Sequence, residues 1–309
     1  MPTRQGAIRI FRFAGIDVFL HWSWFLVGIY EVNTGGIGRY SSIAWNILEY
    51  LALFVIVTMH EFGHALACRQ VGGRANQIVL WPLGGVAYVD PPPRAGATLW
   101  SITAGPLVNL LLAPILGGLY SYAHSAAWAY TMPDIYQFVR AVFIIDVILL
   151  IFNILPVYPL DGGQILRSLL WFILGRARSL MVASVIGFFG VAAFILYAVS
   201  RGNAWLGIIA LYMGVNCWTG FKQAQALSQL AKLPRRTGYS CPTCKSSPPI
   251  GDFWRCHNCS QAFDTFATGA VCPNCHSRFE VTRCPDCGRQ HPLPEWMGQT
   301  IMVPNPVLK

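Results

Sequence analysis

The chain has 309 residues, of which 54% are hydrophobic and only 11% are charged, and its formal net charge is +9. A soluble globular domain carries about 25% charged residues, so this composition excludes an ordinary soluble protein and indicates a membrane protein. The positive charges flank apolar segments and do not form a basic stripe with interleaved aromatic residues. We therefore expect no nucleic-acid partner.

Apolar segments of near-spanning length predict a mainly α fold, a polytopic transmembrane helix bundle with about six spans in a lipid bilayer. The predicted spans are residues 18–33, 45–67, 99–122, 138–160, 180–200 and 204–221. The first of them is short for a span.

Lys and Arg are distributed unequally between the two sets of loops. Thirteen lie in the N-terminal tail, in the loops after predicted spans two and four, and in the segment after span six, whereas Arg39, Arg140 and Arg201 lie on the other side. The positive-inside rule then places the N-terminus and the C-terminal segment in the cytoplasm. The compact chain without organelle signals favours a prokaryotic inner membrane.

A metal-binding motif lies at the end of the second predicted span, where His60, Glu61 and His64 form the sequence His-Glu-Phe-Gly-His. On a helix, the two imidazoles lie four residues apart on one face and bind one zinc ion, and Glu61 accepts the proton of the activated water. Ionisable residues deep in an apolar segment are costly and tend to be functional. A chance match is therefore the weaker interpretation.

A third protein ligand is predicted at the end of the fourth span, where residues 153–163 read Asn-Ile-Leu-Pro-Val-Tyr-Pro-Leu-Asp-Gly-Gly. Spans two and four run in the same direction, so His64 and Asp161 arrive at a similar depth near the cytoplasmic side. The prolines interrupt the helix, which is tolerated at membrane depth only where the backbone is buried or lines a cavity. We therefore expect the site there.

These two motifs together resemble the site-2 protease family of intramembrane zinc metalloproteases, also called peptidase M50-like, over residues 45–166. The resemblance implies that His60, His64 and Asp161 bind the catalytic zinc and that Glu61 activates water. It also implies a substrate that is a membrane protein with a transmembrane helix, cleaved in or next to that helix.

Two further segments are similar to the same family. Residues 78–89 read as two short strands around a turn that contains Gly84 and Gly85. Such a strand pair either binds an extended substrate by strand addition or is a membrane-surface loop without a substrate role. The resemblance implies that Asn109 in span three donates a hydrogen bond to substrate or oxyanion, with a helix-packing amide as the alternative. Asn153 is also predicted to contact substrate.

A cysteine-rich segment follows the last span. Eight cysteines form four pairs, each separated by two residues: Cys241 and Cys244, Cys256 and Cys259, Cys272 and Cys275, and Cys284 and Cys287. Two such pairs complete a four-sulfur zinc site, so the segment resembles a double zinc ribbon with two structural zinc ions. Disulfides are disfavoured in a reducing cytoplasm. We predict that the first two pairs hold one ion and the last two the other, with an interleaved pairing as the alternative.

The predicted domain organisation follows from these segments. It comprises a transmembrane metalloprotease domain at 1–222, a linker at 223–239, the double zinc ribbon at 240–292 and a tail at 293–309. His257, His276 and His291 are predicted to be surface residues, because eight thiols already complete both ribbon sites. A closed four-sulfur site has no open position for substrate, so the ribbon's expected role is contact with a protein partner.

The sequence therefore predicts an intramembrane zinc metalloprotease acting in regulated intramembrane proteolysis, with one catalytic and two structural zinc ions. Two alternatives from other classes remain. One is a catalytically inactive membrane scaffold whose ribbon binds a partner. The other is a zinc transporter, which has no need for Glu61 beside the first ligand.

Overall fold

The computed structural model describes residues 6–34, 38, 40–81, 84–202 and 204–297, and the chain divides into two compact units, Met1–Lys222 and Gln223–Lys309. In chain order, the elements that begin in the first unit are β1 (Ala7–Phe13), β2 (Ile16–His21), α1 (Ser23–Thr34), α2 (Ile43–Gln70), β3 (Arg74–Trp81), β4 (Gly84–Asp90), α3 (Ala95–Ser125), α4 (Trp128–Thr131), α5 (Pro133–Ile154), α6 (Asp161–Ser200) and α7 (Ala204–Ala231). The boundary between the units falls inside α7.

Four helices in the described part of the chain, α2, α3, α5 and α6, are long and apolar enough to cross a membrane. They correspond to predicted spans two to five, and the mainly helical membrane fold is confirmed. Gly175 departs from helical geometry (φ 76°, ψ 172°), so α6 consists of two helices, 161–174 and 176–200. The sixth predicted span lies within α7, which has 28 residues, and its crossing of the membrane stays a prediction.

The predicted first span, 18–33, is wrong as a single helix. Its first four residues belong to β2, and α1 has only 12 residues. At 1.5 Å per residue, a helix of that length reaches about 18 Å, well short of the roughly 30 Å hydrocarbon core. β2 is apolar because it contributes to a protein core and not because it crosses the membrane. Its residues Ile16 and Val18 are fully buried between the sheet and α2.

The strands of the first unit form one four-stranded sheet with the order β1-β2-β3-β4. β1 and β2 form an antiparallel hairpin whose two turn residues, Ala14 and Gly15, have positive φ angles of 49° and 73°, the geometry of a two-residue hairpin turn. β2 pairs in parallel with β3, and β3 pairs antiparallel with β4. The predicted strand pair at 78–89 is thereby confirmed, whereas the sequence analysis missed β1 and β2.

The sheet lies beside the second half of α2. Its buried residues form one core with Val57, Ala65 and Cys68 of that helix. Because His60 and His64 lie within the same stretch of α2, the sheet borders the helical turns that carry the predicted metal ligands.

After the end of α7, the described residues of the second unit form four two-residue strands and a short helix: β5 (Trp254–Arg255), β6 (Ala262–Phe263), β7 (Thr282–Arg283), β8 (Gln290–His291) and α8 (Leu293–Trp296). β5 pairs with β6 and β7 with β8. Trp296 is fully buried in a core that also contains Phe266 and cysteines 241 and 284. The ribbon therefore extends beyond the predicted boundary at residue 292, because the small domain needs this indole to fill its interior.

The predicted linker at 223–239 is also more structured than the sequence suggested. α7 continues to Ala231. Arg235 then pairs with Asp286 and Arg236 pairs with Asp264, each at 2.6 Å. Most of this segment is thus part of a helix or is bound to the ribbon by ion pairs.

Candidate metal centres

Three predicted ligands from two helices meet in the membrane unit. His60 Nε2 and His64 Nε2, on successive turns of α2, are 3.1 Å apart. Asp161 Oδ2, at the first residue of α6, lies 3.0 Å from His60 Nε2 and 3.1 Å from His64 Nε2. Both histidines are 6% exposed, so the three atoms form a compact triangle that is nearly closed to solvent.

The chemistry of this triangle fits zinc. Two imidazole nitrogens and one carboxylate oxygen are a common ligand set of catalytic zinc sites, which keep a fourth position for water or substrate. Ligand atoms about 2.0–2.1 Å from one tetrahedral ion are about 3.3 Å from one another. The observed separations of 3.0–3.1 Å are close to that value.

Both histidines are oriented by a second hydrogen bond through Nδ1. The His60 ring faces the side-chain oxygen of Asn109 on α3 at 2.6 Å. The His64 ring faces the backbone carbonyl of Ser101, also on α3, at 2.9 Å. Such partners hold the proton on Nδ1 and leave Nε2 free to bind a metal.

Two glycines allow α2 and α3 to approach each other closely at this point. A Cβ added to Gly63 would lie 2.6 Å from the carbonyl oxygen of Ala104. A Cβ added to Gly105 would lie 2.2 Å from His64 Nε2 and 2.8 Å from His60 Nε2. The backbone of Gly105 therefore borders the space where an ion would contact both imidazoles.

The loop that carries Asp161 is enclosed by the second part of α6 and by α7. A Cβ on Gly187 would lie 2.9 Å from the Tyr158 carbonyl oxygen, and one on Gly220 would lie 2.8 Å from the Tyr158 ring. Cys217 donates a hydrogen bond to the same carbonyl oxygen. These contacts position the loop against α6 and α7.

The second unit brings its eight cysteines together in two sets of four. Cys241, Cys244, Cys284 and Cys287 form one set, and Cys256, Cys259, Cys272 and Cys275 form the other. Sulfur–sulfur distances between pairs are 3.7 Å in the first set and 3.5 and 3.6 Å in the second. Four sulfurs about 2.3 Å from one tetrahedral zinc lie about 3.8 Å apart, so both sets fit the ion.

The predicted sequential pairing of the ribbon cysteines is wrong, because the pairs are nested. The two inner pairs share one site, and the first and last pairs share the other. The physical reason is the core, where Tyr239 and Trp296 pack together with cysteines of the first and last pairs. His257, His276 and His291 belong to neither set. His257 and His276 are exposed, as predicted, whereas His291 is half-buried and its ring contacts Thr243 and Glu295.

Comparison with known proteins identifies the membrane unit. The sequence model of peptidase family M50 matches residues 49–130 and 116–197, which include all three ligands of the triangle. A zinc metalloprotease of Methanocaldococcus jannaschii is 30% identical over 207 residues, which cover 67% of this chain and 58% of that protein. The chain belongs to peptidase family M50.

Similarities to a solved structure and to a second curated protein agree with this assignment. The site-2 protease structure from Methanocaldococcus jannaschii superposes with a TM-score of 0.51 and 27% identity, covering 70% of this chain and 95% of that one. The putative zinc metalloprotease Rip3 of Mycobacterium tuberculosis is 28% identical over 228 residues, or 68% of this chain and 57% of that protein. The chain thus spans a little under three fifths of the length of these curated relatives.

Of the remaining predicted site residues in this M50 chain, Asn109 contacts the triangle directly. Its side chain is fully buried. Its oxygen faces His60, and its nitrogen donates to Asp146 Oδ1 at 2.7 Å. The amide therefore supports His60 through its oxygen, while its nitrogen donates one hydrogen bond to a carboxylate. Its contact with substrate stays a prediction.

The other predicted substrate contacts lie apart from the triangle's hydrogen bonds. Gly84 and Gly85 lie in β4, the last strand of the sheet order. They pair with Trp81 and Leu80 of β3. Asn153 lies next to the last residue of α5 and is half-buried. Their contact with substrate stays a prediction.

The sequence analysis missed two contributors to the site. The Ser101 carbonyl could not be found from residue types, because a backbone group carries no side-chain signal. Gly105 lies four residues before Asn109 in the third predicted span, but its role depends on the approach of α3 to α2, which spacing along one chain does not reveal.

Proposed function

We propose that this M50 protein is a zinc metalloendopeptidase that hydrolyses peptide bonds in or next to transmembrane segments of membrane proteins, in regulated intramembrane proteolysis. The convergence of His60, His64 and Asp161 from two membrane helices carries the proposal. In it, these three residues hold one zinc ion, and Glu61 is the general base.

Zinc bound at this triangle would polarise the scissile carbonyl and lower the pKa of an attacking water to about 7. Glu61 follows His60 on α2 and is 6% exposed, so its carboxylate acts in surroundings with little water. There it takes the proton of the attacking water and delivers it to the leaving amine. Asn109 and Ser101 keep the two imidazoles oriented throughout, because their oxygens hold the Nδ1 protons.

The substrate must present an extended segment. A helical substrate hides its carbonyl groups in its own hydrogen bonds, so the cleaved stretch has to unwind before attack. In the proposal, the unwound stretch pairs with β4, whose position at the end of the strand order leaves it one neighbour, β3, within the described sheet. Gly84, Gly85 and Asn153 would lie along this path, and helix-breaking residues near the cut would favour cleavage.

The protein is integral to a membrane, and we propose that it lies in a prokaryotic inner membrane with its N-terminus and ribbon in the cytoplasm. The distribution of Lys and Arg supports this orientation. The sheet supports it as well, because β2, near the N-terminus, pairs with β3, which lies in the segment that connects α2 to α3. In the cytoplasm the ribbon thiols stay reduced and hold two structural zinc ions, and the ribbon is free to bind a protein partner.

The experiment is cleavage of a panel of single-span membrane proteins by the purified full chain in liposomes, with zinc counted per chain. We expect about three zinc ions, cleavage by the wild type, and loss of cleavage in Glu61→Gln with the zinc content unchanged. Glu280→Gln, an exposed carboxylate of the ribbon, is the matched control and should cleave at the wild-type rate.

Two results would overturn the proposal. Zinc in the ribbon alone, with no cleavage across the panel, would favour the inactive scaffold. Zinc flux into liposomes that persists in Glu61→Gln, without cleavage, would favour the transporter.

A further inference from the structure

Asp146 is a buried carboxylate that no step of the proposed mechanism uses. It lies in the middle of the apolar helix α5 and is fully buried. Its Oδ1 accepts a hydrogen bond from Asn109, but its Oδ2 has no hydrogen-bond partner among the described residues. Ionisable groups inside membrane helices are costly and mark functional positions, so this carboxylate needs an explanation beyond helix packing.

A chain of two hydrogen bonds links Asp146 to the metal triangle across three helices. Asp146 on α5 accepts from the Asn109 amide nitrogen at 2.7 Å. The Asn109 oxygen on α3 lies 2.6 Å from His60 Nδ1 on α2. His60 then faces Asp161 through Nε2 at 3.0 Å.

The direction of these hydrogen bonds follows from the chemistry of His60. An imidazole that binds a metal through Nε2 must carry its proton on Nδ1, and that proton requires an acceptor. The Asn109 amide offers an acceptor on one side and a donor on the other. If the amide turned over, its nitrogen would donate to Nδ1 and drive the His60 proton to Nε2, where the metal binds.

Asp146 selects between these two amide orientations. An ionised carboxylate has acceptors only, so it pairs with the nitrogen of Asn109 and directs the amide oxygen toward His60. His64 needs no such partner, because the Ser101 carbonyl that faces its Nδ1 is itself an acceptor only. The difference explains why one histidine is supported by two residues and the other by a backbone group.

We propose that Asp146 is a positioning residue that, through Asn109, fixes the metal-binding tautomer of His60 and so raises the affinity of the triangle for zinc. The proposal rests on the metal site of the proposed function. Its distinctive consequence concerns position 109. A carboxylate there would accept the His60 proton from either oxygen, so it would make Asp146 dispensable.

The test measures zinc affinity of the membrane site in the full chain by chelator competition, in three variants. Asp146→Leu should weaken binding about 10- to 100-fold, the usual effect of losing a partner behind a zinc histidine. Adding Asn109→Asp to Asp146→Leu should restore the affinity to within about threefold of wild type. Asp134→Leu removes a carboxylate from the first turn of α5 and should leave the affinity unchanged.

Each other outcome is decisive. Wild-type affinity in Asp146→Leu would overturn the proposal. Weakened affinity that Asn109→Asp does not restore would show a packing role, and would overturn it too. His60→Ala tests the metal site itself. If the variant binds as many zinc ions as the wild type, the proposed function fails. If it binds one zinc ion fewer, the metal site stands and the Asp146 and Asn109 variants decide the inference.

Discussion

Replacing Gly105 with alanine tests the geometry of the membrane site most directly. The new Cβ would lie 2.2 Å from His64 Nε2, 2.3 Å from His64 Cε1 and 2.8 Å from His60 Nε2. Zinc binds imidazole nitrogen at about 2.0–2.1 Å, so the methyl group would occupy the space beside both ligand atoms. We expect the variant to lose the membrane zinc and its cleavage activity.

The magnitude follows from how far the site would have to move. Nonbonded carbon and nitrogen atoms require about 3.5 Å, so the ring of His64 would shift by more than about 1 Å. α3 is not free to retreat from α2, because the Asn109 hydrogen bonds to His60 on α2 and to Asp146 on α5 hold it between those helices. Misplacement of about 1 Å costs on the order of 100-fold in rate, and overpacking costs about 1–3 kcal/mol in stability.

The assay counts zinc per chain and measures the cleavage rate in liposomes, with thermal unfolding recorded in parallel. Gly118→Ala is the control, because it lies on the same helix with nothing described within 4 Å of its Cβ position. It should keep both zinc and rate. A Gly105→Ala protein that retains the membrane zinc and cleaves within threefold of wild type would show that α3 does not border the two histidines in this way.

Three other predictions concern the ribbon and the loop before α6. Cys241→Ser with Cys287→Ser removes two ligands of one nested site and should cost one zinc, whereas Cys241→Ser with Cys256→Ser removes one ligand from each site and should cost two. With sequential pairing, the second double variant would lose only one zinc. Native mass spectrometry of the protein distinguishes the two results. Gly220→Leu places a side chain against the Tyr158 ring and should lower the zinc affinity of the membrane site. Gly207→Leu on the same helix, with nothing described within 4 Å of its Cβ position, should leave that affinity unchanged. Equal zinc affinity in the two variants would argue against positioning of Asp161 by α7. Trp296→Ala empties the ribbon core and should cost about 3–5 kcal/mol of its stability, seen as faster loss of ribbon zinc to a chelator; an unchanged loss rate would place Trp296 outside the core.

The metal ligands were predictable because their signal is local. His60 and His64 are related by one helical turn, and a membrane helix makes ionisable residues conspicuous. Asp161 required only the additional argument that two spans run in the same direction. The structure brings these three side chains together as expected.

The rest depended on contacts that chain spacing does not carry. A short apolar run is compatible with a buried strand or a helix, so the sequence alone predicts a span where the structure has β2. The spacing of the cysteine pairs does not reveal which pairs share an ion, whereas the packing of Tyr239 and Trp296 joins the first pair to the last. Likewise, Asn109 was recognised by its type, but its partner Asp146 lies 37 residues away on another helix.

The nested arrangement of the cysteines implies an order of assembly during synthesis. The inner set links residues 13 and 19 positions apart, and the outer set links residues 40 and 46 positions apart. Closing the longer loop costs roughly 1 kcal/mol more in chain entropy. The inner set is also completed first on the growing chain, because Cys275 is made before Cys284. The inner half can therefore fold around its ion while the last cysteine pair is still being made. The outer site can bind its ion only after Cys287 has been synthesised, so a ribbon with both sites filled is one in which all eight cysteines have been made.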